Sequence, residues 1–152
     1  ELQVLVGTWN MGGKPCPAHV SLKDWLLPGK FDLYAIGTQE CEGRPGLSTE
    51  REKPRWEAKV AAALGRDYAM VAKHCLGTTH LCCFVRNELL PHVSDLHTAH
   101  VITGFGKVVA NKAGIGLCFD IFSTSFLLVT AHFAAHQSKI QERHDDFARI
   151  DS

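Results

Sequence analysis

The stretch VTAHFAAHQ, Val129 to Gln137, puts two histidines four residues apart at the end of an apolar run. Imidazoles at that spacing can do three things: hold zinc from one face of a helix, sit as satisfied residues in a core, or hydrogen-bond a phosphate at a strand end. The composition of FLLVTAHF is that of a strand, and no HExxH glutamate stands between His132 and His136, which counts against zinc. On a strand an even spacing again puts both on one face, but AAHQ is already leaving the strand.

Other polar residues end apolar runs in the same way. LQVLVGTWN finishes on Asn10 and FDLYAIGTQE on Gln39 and Glu40. Strand C-termini in α/β architectures gather at one edge of a sheet, where ligands bind, so Asn10, Glu40 and His132 could converge although the chain keeps them far apart. Hard Mg²⁺ prefers carboxylate and water oxygens and needs few protein ligands when phosphate supplies the rest; one glutamate aided by an asparagine meets that need. Taken singly, each of these residues reads first as a turn former or a solvated strand end; it is the combination that points to a site. GKVVANKAGIG adds Lys107, Asn111 and Lys112 beside small residues that let a ligand approach, an anion site or else a basic hairpin corner. It is not a Walker loop, no GxSxG elbow occurs, and no cysteine or serine stands out as a nucleophile.

The elements that must position these groups can be read from pattern. SLKDWLLP, with Ser21 as N-cap and Pro28 as stop, predicts a short helix. STEREKPRWEAKVAAALGRD predicts a longer one, with Thr49 and Glu52 as a capping box, Trp56, Val60 and Leu64 at helical spacing, and Gly65 at the C-terminal cap. YAMVAKH and HLCCFVR read as paired strands, and HVSDLHTAHVITG as irregular or an edge strand. From NKAGIG onward Ile115, Leu117, Phe119 and Ile121 alternate on one face, and the polar residues 123 to 125 turn that strand into a second, a hairpin. Ile140, Phe147 and Ile150 are spaced for a closing helix.

The 152 residues, 45% hydrophobic, fit one domain with a real core. Sixteen basic and sixteen acidic residues cancel, so no global field draws in nucleic acid or an anionic membrane, and phosphate affinity must be local. Six cysteines without CxxC spacing read as reduced core thiols of a cytosolic protein. Neither a membrane helix nor a signal peptide is indicated, and an opening inside a strand pattern is expected of an excised segment.

Taken in order, GTWNMGG, DLYAIGTQE, ANKAGIGLCFDI, VTAHFAAH and ERHDDF resemble the inositol polyphosphate 5-phosphatase family, part of the superfamily of Mg²⁺-dependent endonucleases, exonucleases and phosphatases. The resemblance implies an α/β fold of the DNase I-like type, a two-sheet α/β sandwich. Residues 1–152 would be its N-terminal half, incomplete at the C-terminus: one mostly antiparallel sheet with helices on its outer face. The missing C-terminal half would supply the other sheet, with the site between them.

The resemblance also implies roles. Glu40 would bind Mg²⁺, Asn10 would position metal and phosphate, His132 would hydrogen-bond the scissile phosphate, and Asn111 and Lys112 would lie along the substrate. His136 and Arg143 match motif positions as structural support. Ala113, where glycine is usual, and AHF, where SHL is commoner, are mild departures. The implied activity is Mg²⁺-dependent hydrolysis of the 5-phosphate of phosphoinositides or soluble inositol polyphosphates, a phosphoric monoester hydrolase of signalling. It would act in the cytoplasm or at the cytosolic face of membranes, with peripheral membrane contact and no nucleic acid. The GDxN and SDH motifs, which carry the general-base aspartate and a further Asp and His, do not occur before Ser152, so this chain alone is expected to be inactive and to leave an inner sheet face bare. A superfamily nuclease and a non-catalytic truncated interaction module are the alternatives.

Overall fold

A computed structural model describes residues 1–41, 53–104 and 112–152. Strand β1 (Val4–Asn10) leads through helix α1 (Lys23–Leu26) to β2 (Leu33–Gln39), and helix α2 (Lys53–Leu64) to the hairpin β3 (Tyr68–Leu76) and β4 (Thr79–Arg86). A 3-10 turn (Asn87–His92) precedes β5 (Val93–Ile102). The hairpin β6 (Ala113–Ile121) and β7 (Thr124–His132) follows, and then helix α3 (Ile140–Ile150).

The strands form two sheets, ordered β1-β2-β4-β3 and β5-β6-β7. The α/β two-sheet sandwich is therefore present, but the expectation of a single sheet is corrected. β5, β6 and β7 pair with one another and stack on the first sheet. Ile115, Leu117, Phe119 and Ile121 of β6 share a core with Leu33, Ala35, Leu81, Cys83 and Val85. The alternation in β6 is the apolar face of that second layer, so the inner face of the four-stranded sheet is covered here, contrary to expectation. The sheets are mostly antiparallel, with β1 and β2 as a parallel pair.

The other face of the four-stranded sheet carries the helices. Trp56, Val60 and Leu64 of α2 and Leu22 and Leu26 around α1 pack on Tyr34, Ile36, Cys82 and Phe84. Each such side chain contributes about 1.5–3 kcal/mol by leaving water. The spacing of Trp56, Val60 and Leu64 thus reports the buried stripe it predicts, and Gly65 (φ 87) ends α2 with its N–H on Ala61 O. Its proposed capping box, Thr49 and Glu52, lies outside the described residues.

Several local expectations change. α1 is a single turn capped at Leu22; Ser21 Oγ accepts the Lys23 N–H instead. The turn between β6 and β7 is Phe122–Ser123, one residue earlier than the polar run, with Phe122 at φ 56. β5 is a ten-residue edge strand with a bulge between Ser94 and His97. In α3, Ile140 and Phe147 are exposed, while Ile150 packs against β6. The six cysteines are not joined in disulfides; Cys41, Cys82 and Cys83 are buried, and burial pushes the Cys83 thiol up to about 12.

Beneath α2 lies a buried polar link. Glu57 accepts from His80 Nε2 at 2.9 Å, where His80 is fully buried, and from Lys73 at 2.7 Å. The hydrogen bond to His80 and the Lys73 ammonium hold the carboxyl down at about 2 against its burial. A carboxyl depressed in the fold stabilises above its unfolded value, about 4.3, and that contribution is lost as pH falls toward about 2. Glu57→Gln should therefore lower stability at pH 7 by about 2–3 kcal/mol and flatten the acid limb below pH 4.5, read by urea unfolding across pH.

Candidate active site

The site starts from the ends of two parallel strands. Asn10 and Gln39 are register partners, so β1 and β2 finish side by side. In β1 the middle residue of Thr8-Trp9-Asn10 faces the helices, where Trp9 makes edge-on contacts with Trp25 (5.8 Å) and Trp56 (5.9 Å). That anchor leaves Thr8 and Asn10 on the opposite face, toward the second sheet.

Alternation along β2 puts Gly37 and Gln39 on that same face and would send Glu40 the other way. Glu40 instead takes a left-handed conformation, φ 50, which turns its side chain back. Its Oε1 then accepts Asn10 Nδ2–H at 3.0 Å, while Asn10 Oδ1 accepts the Gly12 N–H at 3.0 Å. The turn after β1 is tied on through Met11 N–H to Gln39 O and Gly13 N–H to Glu40 O. Both ends of the Asn10 amide are thus engaged, and it fixes the direction of the carboxylate.

The second sheet closes on this edge through β7. A Cβ at Gly37 would lie 2.5 Å from Thr130 Oγ1, so glycine is what lets the strands approach. Gln39 Nε2 donates across the gap to Thr130 Oγ1 at 3.0 Å and is braced by Thr8 Oγ1 at 3.1 Å. His132, two residues beyond Thr130 on the same face, therefore arrives beside Glu40, with Nε2 3.5 Å from Oε1. Ala113 is the register partner of His132, which puts Lys112 alongside; its Nζ is 2.6 Å from His132 Nε2. An ammonium can only donate, so Nε2 accepts and the imidazole proton sits on Nδ1. Burial pulls the Lys112 ammonium below the ordinary lysine range, while the carboxylates of Glu40 and Asp146 hold it up.

The structure thus brings together Asn10, Glu40, Lys112 and His132. Asn111 and Lys107 lie outside the described residues. His136 stands in the loop after β7 at φ 72, so the two histidines do not share a helix face. Arg143 donates to the carbonyl oxygens of Ala134, His136 and Gln137 and ties α3 to that loop. Sequence reasoning missed the bridge of Gln39, Thr8 and Thr130, although the even spacing of Thr130 and His132 is the signal for it. It also missed Asp146.

Two nitrogens converging beside a carboxylate make a place for an anion and a cation together. Hard oxygen donors suit Mg²⁺, and the Glu40 side chain, 40% exposed, offers one. Among the described residues no three His, Cys, Asp or Glu side chains gather as a metal cluster, which is a donor set poor for zinc.

A profile of the endonuclease/exonuclease/phosphatase family 2 matches residues 7–152. The chain belongs to that family. Its relatives place it in the inositol polyphosphate 5-phosphatase branch. It is 35% identical over 154 residues to the mouse phosphatidylinositol polyphosphate 5-phosphatase type IV, covering 98% of this chain and 22% of that protein. The 5-phosphatase domain of SPsynaptojanin, solved with inositol (1,4)-bisphosphate and a calcium ion, superposes with a TM-score of 0.84 at 26% identity, covering 98% of this chain and 45% of that one. The chain therefore spans about a fifth of the mouse relative's length and under half of the solved domain. A Cimex nitrophorin, solved as a ferrous NO complex, shares the fold alone, with a TM-score of 0.69 at 19% identity, covering 88% of this chain and 47% of that one.

Proposed function

We propose that the protein carrying this chain hydrolyses the 5-phosphate of phosphoinositides or inositol polyphosphates with Mg²⁺. The observation that supports this best is the meeting of Glu40, Asn10, His132 and Lys112 at one sheet edge, in a chain whose relatives are named 5-phosphatases. Lys112 would turn its ammonium from His132 to an oxygen of the scissile phosphate, and His132 would donate beside it in the tautomer that carries the proton on Nε2. Asn111 is the further substrate-binding residue that the family resemblance implies. Asn10 orients Glu40, and these two would hold the metal. When bound, Mg²⁺ supplies neutralisation of the phosphate charge. Strand pairing holds the backbone from which these side chains project, which limits the reorganisation left for the reaction itself. The inositol (1,4)-bisphosphate named with the solved relative is what remains of a 1,4,5-trisphosphate without its 5-phosphate, which fits this reading.

The general base is proposed to come from outside these residues. Glu40 is assigned to the metal, and Asp146 already accepts the Ala134 N–H. The isolated 152-residue chain should then release phosphate at about a hundredth of the full-length rate or less. Comparable turnover by both would contradict that division. The cytoplasm, or the cytosolic face of a membrane reached by peripheral contact, is the proposed setting.

The test is phosphate release by the full-length protein from a 5-phosphorylated inositide, with Mg²⁺ and after chelation. Release that stops on chelation and returns with added Mg²⁺ is the expected result. Release unaffected by chelation would remove the metal from the account.

A further inference from the structure

Asp146 is an acidic residue on a largely exposed helix, yet it is only 6% exposed. A buried carboxylate needs compensation. Its Oδ2 accepts the N–H of Ala134 at 2.9 Å. One helical turn earlier, Arg143 donates to Ala134 O at 3.3 Å and His136 O at 2.7 Å. The Ala134 residue is thus held at both its N–H and its carbonyl from α3, two residues beyond His132.

The other end of α3 does the matching thing. Ile150 fills the space a side chain at Gly114 would need, with a Cβ there only 2.6 Å from it. Gly114 is two residues beyond Lys112. One helix therefore grips the chain just after each of the two nitrogen-bearing residues, whose strands are paired at Ala113 and His132. The charge of Asp146 also acts on Lys112 and favours its ammonium form.

We propose that Asp146 is a positioning residue for the phosphate-binding pair: by holding Ala134 from α3 it fixes the backbone from which His132 presents its imidazole to Lys112. This rests on the function proposed above, but its geometric part stands apart from it. Misplacing a reacting group by about 1 Å can cost on the order of a hundredfold in rate.

The experiment compares Asp146→Ala and Asp146→Asn in the full-length protein, with a soluble 5-phosphorylated inositol phosphate as substrate. Asp146→Ala should lower kcat by about tenfold to a hundredfold with KM changed by less than about threefold, because the loss falls on the reacting phosphate. Asp146→Asn keeps an acceptor for the Ala134 N–H and should recover most of kcat. Crystal structures of both variants give the second reading: the separation of Lys112 Nζ and His132 Nε2, 2.6 Å here, should lengthen in the alanine variant and stay in the asparagine variant. An unchanged kcat in Asp146→Ala, equal impairment of the two variants, or an unchanged separation would each overturn the proposal. If Asp146→Ala does not fold, Arg143→Gln loosens the same loop and should lower kcat in the same direction; an unchanged kcat there would also overturn it. A parent protein with no 5-phosphatase activity would defeat the proposed function alone, since the separation in the variants still decides the role of Asp146.

Discussion

Replacing Glu40 with glutamine is expected to cut turnover by about a thousandfold or more while leaving the fold in place. The amide oxygen of glutamine can still accept the Asn10 Nδ2–H, so the local hydrogen bond survives, but the negative charge that attracts a hard divalent cation is gone. A thousandfold is about 4 kcal/mol of transition-state stabilisation, a fair share for one group that organises the charge around a phosphate. The check has two parts: phosphate release at saturating substrate, and Mg²⁺ binding by calorimetry. Both should fall together, with the melting temperature within a few degrees of the parent. Full turnover by a Glu40→Gln protein that no longer binds Mg²⁺ would sink the assignment.

The second large effect belongs to His132. His132→Ala removes one of the two nitrogens that converge on the proposed phosphate position and should lower kcat by about a hundredfold to a thousandfold. The side chain is only 11% exposed, so a cavity follows as well, and His132→Gln is the cleaner companion because it fills space and keeps a donor. If the imidazole acts by donating to phosphate, the glutamine variant should lie between parent and alanine in kcat. If both variants fall in proportion to lost folded protein, measured by circular dichroism, the histidine is a packing residue and the catalytic reading fails.

These two expectations show what could be read from residues and what needed the fold. Asn10, Glu40 and His132 were visible because each ends an apolar strand, and a parallel pair such as β1 and β2 must bring its ends to one edge. Lys112 was visible as a member of an anion site or a basic hairpin corner, and the family resemblance put it along the substrate; its place beside His132 depends on the pairing of β6 with β7. The second sheet was half legible. Ile115, Leu117, Phe119 and Ile121 announce an apolar face, but nothing local says what covers it, and the answer is Leu81, Cys83 and Val85, far away in the chain. The left-handed turn at Glu40 was not legible, since it is a non-glycine residue held there by its neighbours. Nor was the approach of Gly37 to Thr130, which joins two positions ninety-three residues apart. Asp146 was passed over for a similar reason. In a helix of mixed polarity a carboxylate reads as solvated until the loop it grips is known.

The exposed residues of α3 carry a related lesson. Ile140, Phe147 and Ile150 have the spacing of one face, but Ile140 and Phe147 are more than half exposed, whereas Ile150 packs at Gly114. The spacing shows an apolar stripe. It does not show what meets it.

The most direct test of the central claim is the identity of the product. Full-length protein with Mg²⁺ and inositol (1,4,5)-trisphosphate should yield inorganic phosphate and the 1,4-bisphosphate isomer, resolved by ion chromatography, and the Glu40→Gln protein should yield neither. Release of a different bisphosphate isomer, or an intact trisphosphate under conditions where a related 5-phosphatase consumes it, would contradict the assignment of this site to 5-phosphate hydrolysis.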